Sequence, residues 1–427
     1  MEQKHLNRWV YAIMGVLVLL FAGLVYGWTT FSKPLNAIWT PSALTWTSTI
    51  VMAFFCLGGF FGGQMQKKGV NIKVNLTLGA ILMFAGFTIA GFLGDATQSI
   101  IVIYLGFGVL GGLGAGFAYN AVLSAVSGWF PDKQGLISGV LLMGFGIGSF
   151  IMGLIYASVV NPMTSEESTG LPWSTCFFGI GILCLIIILL GAILLKKPAP
   201  GYTVAGAENS KKQKSAPYED VDTAHMLKRS SFWFMFIWAI LVSVAGLAVV
   251  FLGTPIATAA VPTLNDAPST LAIIVGLVSI FNGVGRIIFG GMFDKIGYKP
   301  TLLIVCGMFI ISMGIIILAM VTGSMLILII SYIVTGLSYG GVTPSQSAFV
   351  NKFYGAKYYA VNLPLMTMNL LIASFGTKLV NAVQTGLETG GMTKTGSYIV
   401  VLAGVAVICL IAAVFAIMIK KPKTAGN

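Results

Sequence analysis

Arg286 is the lone charge in the apolar run from Leu271 to Phe293. A guanidinium keeps its proton at any biological pH, so burial cannot neutralise it. Holding it near a bilayer centre costs at least about 2.5 kcal/mol. Neighbouring segments offer no carboxylate, so the expected counter-charge is an anion that arrives and leaves. A planar fork of N–H donors suits a carboxylate. The competing reading is a structural arginine held by backbone carbonyls. Asn282 lies one turn earlier and is placed to orient the guanidinium.

Other groups able to line such a site are polar or aromatic residues inside apolar runs: Tyr26, Trp28, Tyr119, Asn120, Tyr339 and Asn369. Any one aromatic more often simply packs. Tyr339 precedes Gly340-Gly341-Val342-Thr343-Pro344, an expected helix break. Catalysis has few candidates, since no nucleophile–base pair, metal cluster or ATP-binding motif is visible. Cys56, Cys176, Cys184, Cys306 and Cys409 all fall in apolar runs without CxxC or Cys/His spacing, so they read as small packing residues. His5 and His225 fall outside the runs, and no Asp, Glu or His lies within one, which leaves a side-chain proton relay without parts. An enzyme is not expected, and no cofactor or metal is implied.

The elements holding these residues must be membrane helices. The 427-residue chain is 57% hydrophobic and only 8% charged, with mean hydropathy +0.94; soluble domains carry roughly 25% charged residues. Apolar spans are expected near 9–31, 43–65, 74–94, 98–124, 135–158, 173–195, 230–254, 268–292, 301–322, 324–348, 358–384 and 396–419. The first is too long for a signal sequence. Twenty of the 24 Lys and Arg residues fall at the termini and in alternate connections; Lys33, Lys378 and Lys394 fall on the other side. That bias predicts a multi-pass protein of the cell membrane with both termini cytoplasmic. The net charge of +12 is therefore a topology signal that can also attract lipid headgroups, and nucleic acid is not expected as a partner. A polar stretch over 196–229, with NSKKQKS and Glu219, Asp220 and Asp222, reads as a flexible linker between 1–195 and 230–427.

The two halves repeat a pattern. Gly62-x-x-x-Gln66-Lys67-x-Gly69 follows the second span, and Gly290-x-x-x-Asp294-Lys295-x-Gly297 follows the eighth. Such a repeat means two similar six-helix bundles facing each other. Gly290 permits close helix approach, Asp294 is suited to cap a neighbouring helix, and Lys295 marks the cytoplasmic edge. Gly111–Gly116 and Gly144–Gly148 read as close helix packing. In Trp129-Phe130-Pro131-Asp132-Lys133, Pro131 ends one helix and Asp132 is expected to cap the next. The repeated loop resembles the signature of the major facilitator superfamily, which implies an all-α membrane fold of twelve transmembrane helices in two pseudo-symmetric six-helix bundles. Gln66 departs from the usual Asp, which puts a charge-paired gate in the first half in question.

The WFPDK turn, together with Tyr26-Gly27-Trp28-Thr29 and Phe281-Asn282-Gly283-Val284-Gly285-Arg286, is similar to the oxalate–formate antiporter family and to monocarboxylate carriers. The resemblance implies a central carboxylate site containing Arg286, with pocket aromatics at Tyr26, Tyr119 and Phe145. Oxalate carriers of that family pair the arginine with a span-eleven lysine, whose matching position here is Asn369. Family tryptophans of spans ten and eleven match Gly336 and Met366. Lys378 lies nine residues beyond Asn369, about 13 Å along the helix, and reads as a vestibule or gating residue. One deep cation favours a monovalent guest, because a dianion would leave a buried negative charge uncompensated. The expectation is a secondary transporter of lactate-, pyruvate- or formate-like monocarboxylates, acting as a monomer by alternating access. Anion exchange and symport with a proton carried on the substrate both remain open. The alternatives are a dicarboxylate antiporter of the oxalate/formate kind and a transport-dead carboxylate sensor.

Overall fold

The computed structural model describes residues 7–160, 170–199, 202 and 220–420; His5, NSKKQKS and Glu219 lie outside the described residues. Twelve helices are long and apolar enough to cross a membrane. They are α1 (Arg8–Gly27), α2 (Ala43–Lys67), α3 (Ile72–Thr97), α4 (Ile100–Trp129), α5 (Gln134–Val159) and α6 (Trp173–Leu194), then α7 (Ser230–Ala260), α8 (Ser269–Ile296), α9 (Tyr298–Thr322), α10 (Met325–Tyr354), α11 (Tyr359–Thr389) and α12 (Lys394–Met418). Several outrun the apolar stretches that mark them. The 31 residues of α7 span about 46 Å at 1.5 Å per residue, more than a hydrocarbon core of about 30 Å. The longer helices take Asp95, Asp294 and Glu388 into their ends. Spans free of carboxylates, as read from the sequence, therefore hold only for the helix middles.

Glycine runs let backbones touch. A Cβ at Gly116 would sit 2.1 Å from the Phe55 carbonyl oxygen, one at Gly148 2.0 Å from that of Leu20, and one at Gly340 2.3 Å from that of Asn282. These contacts join α4 to α2, α5 to α1 and α10 to α8. Helical regularity is lost at several places, three of which bear on the site. α1 tightens into a 3₁₀ turn over Gly23–Gly27, α10 is interrupted at Gly341, and α11 is interrupted at Met368, four residues after Pro364.

The two halves, α1–α6 and α7–α12, meet along α5–α8 and α2–α11. Their closest contacts cluster at the end that carries the basic loops, called the basic end below. Asp294 accepts from the backbone N–H groups of Gly135 and Leu136, each at 2.9 Å. Gly135 and Gly290 approach so closely that a Cβ on either would lie 2.2 Å from the other's carbonyl oxygen. The Ser138 and Ser347 hydroxyls are 2.7 Å apart, and Ser347 also meets the Tyr359 hydroxyl at 2.6 Å. A Cβ at Gly63 would lie 2.2 Å from the Ala360 carbonyl oxygen. Gln66, where the repeat would place a carboxylate, accepts from Ser124 at 2.7 Å.

One expectation is corrected at this end. Asp132 does not cap α5; it accepts two hydrogen bonds from Arg8, at 2.6 and 3.3 Å. The ion pair draws it to α1, and the first N–H groups of α5 are taken by Asp294 of the other half instead. The described end of the linker is docked rather than free. Lys357 N–H donates to Asp220, Val221 N–H to the Tyr354 carbonyl, and the Asn362 amide to the Val221 carbonyl.

Candidate functional site

Arg286 sits eight residues before Asp294 on α8, about 12 Å from the basic end of that helix. Ile273, Ile280, Val284 and Ile288 form the exposed stripe of α8. Arg286 lies two residues from Val284 and from Ile288, about 200° around the helix, so it points into the molecule. Its Nε donates to Asn282 Oδ1 at 2.8 Å, and one Nη donates to the backbone carbonyl of Leu142 on α5. The guanidinium lies over Gly146, where a Cβ would sit 3.1 Å from Cζ and 3.2 Å from Nη1. Gly146 thus leaves the space that a side chain would fill.

These contacts qualify the expectation that only a guest would satisfy Arg286. Two of its five N–H groups meet protein oxygens, and both acceptors are neutral dipoles. Among the described residues the ion pairs are Arg8–Asp132 and His225–Asp222, so the charge itself has no built-in partner. The site is oriented by the protein without being neutralised by it.

Aromatic rings wall the first-half side. Phe145, next to Gly146, takes the edges of Tyr26 and Tyr119, each with ring centroids at 5.2 Å. Phe55 completes the cluster at 5.1 Å from Tyr119 and 5.6 Å from Phe145. The Tyr26 hydroxyl rests on the Met52 sulfur at 3.5 Å. Tyr26, Tyr119 and Tyr339 all lie within electrostatic reach of the guanidinium. Tyr339, from α10, packs against Gly246 of α7.

Other candidates go elsewhere. Trp28 is not at the site: its Nε1 donates to the Leu44 carbonyl at 2.7 Å, and its ring packs on Phe107 at 4.6 Å, inside the first bundle. The Asn120 amide staples the halves, donating to the Gly59 and Ala360 carbonyls at 2.9 Å each. Lys378 is drawn to an aromatic face, its Nζ 3.5 Å from the centroid of Trp46. Trp46 is half exposed, so that ammonium joins α11 to α2 at the outer seam rather than lining a path to Arg286. Lys295 is exposed at the basic end of α8. Gly297 takes φ +87°, a left-handed conformation that suits glycine and turns α8 into α9.

Asn369 is fully buried at the α11 break, and neither amide atom has a hydrogen-bond partner. Sequence reasoning missed Phe55, Gly146 and the Leu142 carbonyl. The first two sit in ordinary apolar patterns. A backbone acceptor leaves no mark in sequence at all.

Comparison with known proteins agrees with the fold. The Major Facilitator Superfamily family model matches residues 10–377. The oxalate:formate antiporter of Oxalobacter formigenes is 27% identical over 303 residues, covering 70% of this chain and 67% of that protein. Monocarboxylate transporter 1 of Bos taurus is 27% identical over 195 residues, covering 45% of this chain and 36% of that protein. Among solved structures, the proton:xylose symporter XylE bound to 6-bromo-6-deoxy-D-glucose superposes with TM-score 0.75 at 14% identity, covering 98% of both chains. A likeness at that identity speaks to fold alone.

Proposed function

The chain belongs to the major facilitator superfamily and is a multi-pass membrane transporter, not an enzyme; from that premise we propose that it carries small monocarboxylates by alternating access, with Arg286 as the anion site. One observation carries the reading: a mid-span guanidinium, turned away from the exposed face, is held by two neutral oxygens and paired with no carboxylate. A carboxylate would supply the missing charge and take the remaining N–H groups.

The similarity to an oxalate:formate antiporter favours a dicarboxylate as second reading. Charge balance argues against it here. Asn369 stands where oxalate carriers of the resembling family hold a lysine, so a dianion would keep one unmatched negative charge. The basic end is assigned to the cytoplasm by its Lys and Arg excess. On that assignment, the Asp294 clamp and the Ser138–Ser347 contact close the cytoplasmic side.

Two couplings fit. In exchange, an unpaired Arg286 crosses poorly and an anion-loaded one crosses readily, so return is coupled to a second anion. In symport, the proton rides on the carboxylate. Counterflow without a pH gradient, against uptake driven by one, separates them. The decisive experiment is uptake of labelled lactate, pyruvate and formate into proteoliposomes. Arg286→Ala is expected to abolish uptake, and Arg286→Lys to keep a fraction because a point charge lacks the fork. Wild-type rates in a monodisperse Arg286→Ala protein would refute the assignment.

A further inference from the structure

α11 is built in two pieces. The first, Tyr359–Thr367, ends at the Met368 break, and Asn369–Thr389 completes the span. Pro364 lies inside the first piece. A proline has no N–H, so the Ala360 carbonyl, four residues earlier, loses the partner that a regular helix would give it. The other half supplies a replacement: the Asn120 amide donates to that carbonyl at 2.9 Å. The same piece makes further contacts across the seam. Tyr359 reaches Ser138 through Ser347, Pro364 faces Gly59, and the Cys56 thiol donates to the Thr367 carbonyl at 3.7 Å. α5, the counterpart of α11 by order in the first half, runs unbroken from Gln134 to Val159. The break is therefore a feature of α11 and not of the repeat.

The end of the linker holds this piece from behind. Asn362 lies two residues after Ala360, about 200° around the helix, and so faces away from the seam. Its side chain is fully buried, and the linker takes both amide atoms: Nδ2 donates to the Val221 carbonyl and Oδ1 accepts from the Thr223 hydroxyl, each at 2.9 Å. Asp220 and Val221 also bond to the α10–α11 turn, at the Lys357 N–H and the Tyr354 carbonyl. Val221 and Met226 bury their side chains, and Asp222 caps the short helix Thr223–Leu227 by accepting from the His225 N–H at 2.8 Å. Ordering these residues costs conformational entropy, which a mere connection between bundles would not incur.

We propose that Tyr359–Thr367 is a gate at the basic end that pivots at Met368, and that linker residues 220–223 are the latch behind it. With Asn362 held, the Ala360 carbonyl stays within reach of Asn120 and the seam stays shut. With Asn362 released, the piece swings about the break, and the α2–α11 seam parts there without a full movement of the bundles. The device does not depend on which guest Arg286 holds, so it is tested without one.

The test is maleimide labelling of a cysteine at Ala360 in purified full-length Cys176→Ala protein, with the buried native Cys184 and Cys306 as internal standards. Thr223→Val keeps the shape of a half-buried side chain and deletes its donor; Asn362→Ala deletes both bonds. Thr223→Val is expected to speed labelling at 360 by roughly two- to tenfold, the range that one lost hydrogen bond allows, and Asn362→Ala by more. Thr223→Ser, which keeps the hydroxyl, is expected to label at the original rate. Adding Thr223→Val to Asn362→Ala should change nothing further, because both act through the same amide. Cys184 and Cys306 should stay unreactive throughout. An unchanged rate at 360 in folded Thr223→Val protein would overturn the inference. Equal acceleration at all three cysteines would overturn it too, since that reports general loosening rather than a gate. Where Asn362→Ala fails to fold, Thr223→Val alone decides.

Discussion

Arg286 is aimed from two sides, by Asn282 on its own helix and by the Leu142 carbonyl across the seam. Gly146 sets how near the guanidinium comes to α5. A methyl at 146 would sit 3.1 Å from Cζ, closer than ordinary van der Waals contact, so the head group must shift by tenths of an ångström. Gly146→Ala is expected to raise KM modestly. Gly146→Val, which demands a larger shift, should lower uptake by roughly 10–100-fold, as misplaced binding groups do. Kinetics in proteoliposomes decide this, and an unaltered KM in Gly146→Val would show that the glycine is mere packing. Charge number makes a second prediction. Asn369→Lys buries a second cation at the position that the family resemblance pairs with the arginine, so the empty site should lose stability and a dianion should regain it. Oxalate is then expected to raise the melting temperature of the variant well above what formate achieves, and to do little for wild type. Equal shifts from both acids in the variant would put position 369 outside the site.

At the scale of helices, the clamp on α5 comes from outside its own bundle. Asp294 accepts two backbone N–H groups at the start of α5, an arrangement worth about 1–2 kcal/mol where a carboxylate meets a helix N-terminus. Gln66 does no equivalent work, since it bonds to Ser124 within its own half. Asp294→Asn should therefore loosen the basic end. About 1.4 kcal/mol is tenfold in a two-state equilibrium, so a cysteine at Ala360, on the α2–α11 seam of the same end, should react up to about tenfold faster with a maleimide in the Asp294→Asn background. An unchanged rate would mean that glycine packing alone holds the seam. Much at this scale was legible in sequence, because apolar run length and the basic bias of alternate loops are local signals. A lone charge among apolar residues is also local, which is why Arg286 stood out. Asp294 was readable as a cap, though not as the cap of α5. Asp132 was misread because Arg8, distant in sequence, outcompetes the adjacent helix start.

For the whole molecule, alternating access requires that the close backbone contacts at the basic end part while Arg286 keeps its hold on the guest. The seam is uneven. Gly135–Gly290, Gly63–Ala360, Ser138–Ser347 and the Asp294 clamp all lie toward the basic end. Near the opposite end the halves are joined by Lys378 over Trp46, a half-exposed cation–π contact worth about 0.5–1 kcal/mol. Lys378→Ala should thus change transport only a few-fold, whereas locking the basic end should stop it. The Ser138 and Ser347 hydroxyls, 2.7 Å apart, offer the lock. Cysteines there can bring their sulfurs to the roughly 2.05 Å of a disulfide with little backbone movement. The native cysteines Cys56, Cys184, Cys306 and Cys409 are buried and unpaired, and Cys176 is partly exposed, so Cys176→Ala is included to keep the oxidation specific. Oxidised Ser138→Cys/Ser347→Cys protein is expected to lose uptake, to regain it on reduction with dithiothreitol, and throughout to keep its thermal stabilisation by carboxylate, because the cross-link leaves the opposite end unrestrained. Full transport through the oxidised, cross-linked protein would mean that this seam never opens, and that the guest reaches and leaves Arg286 by another route.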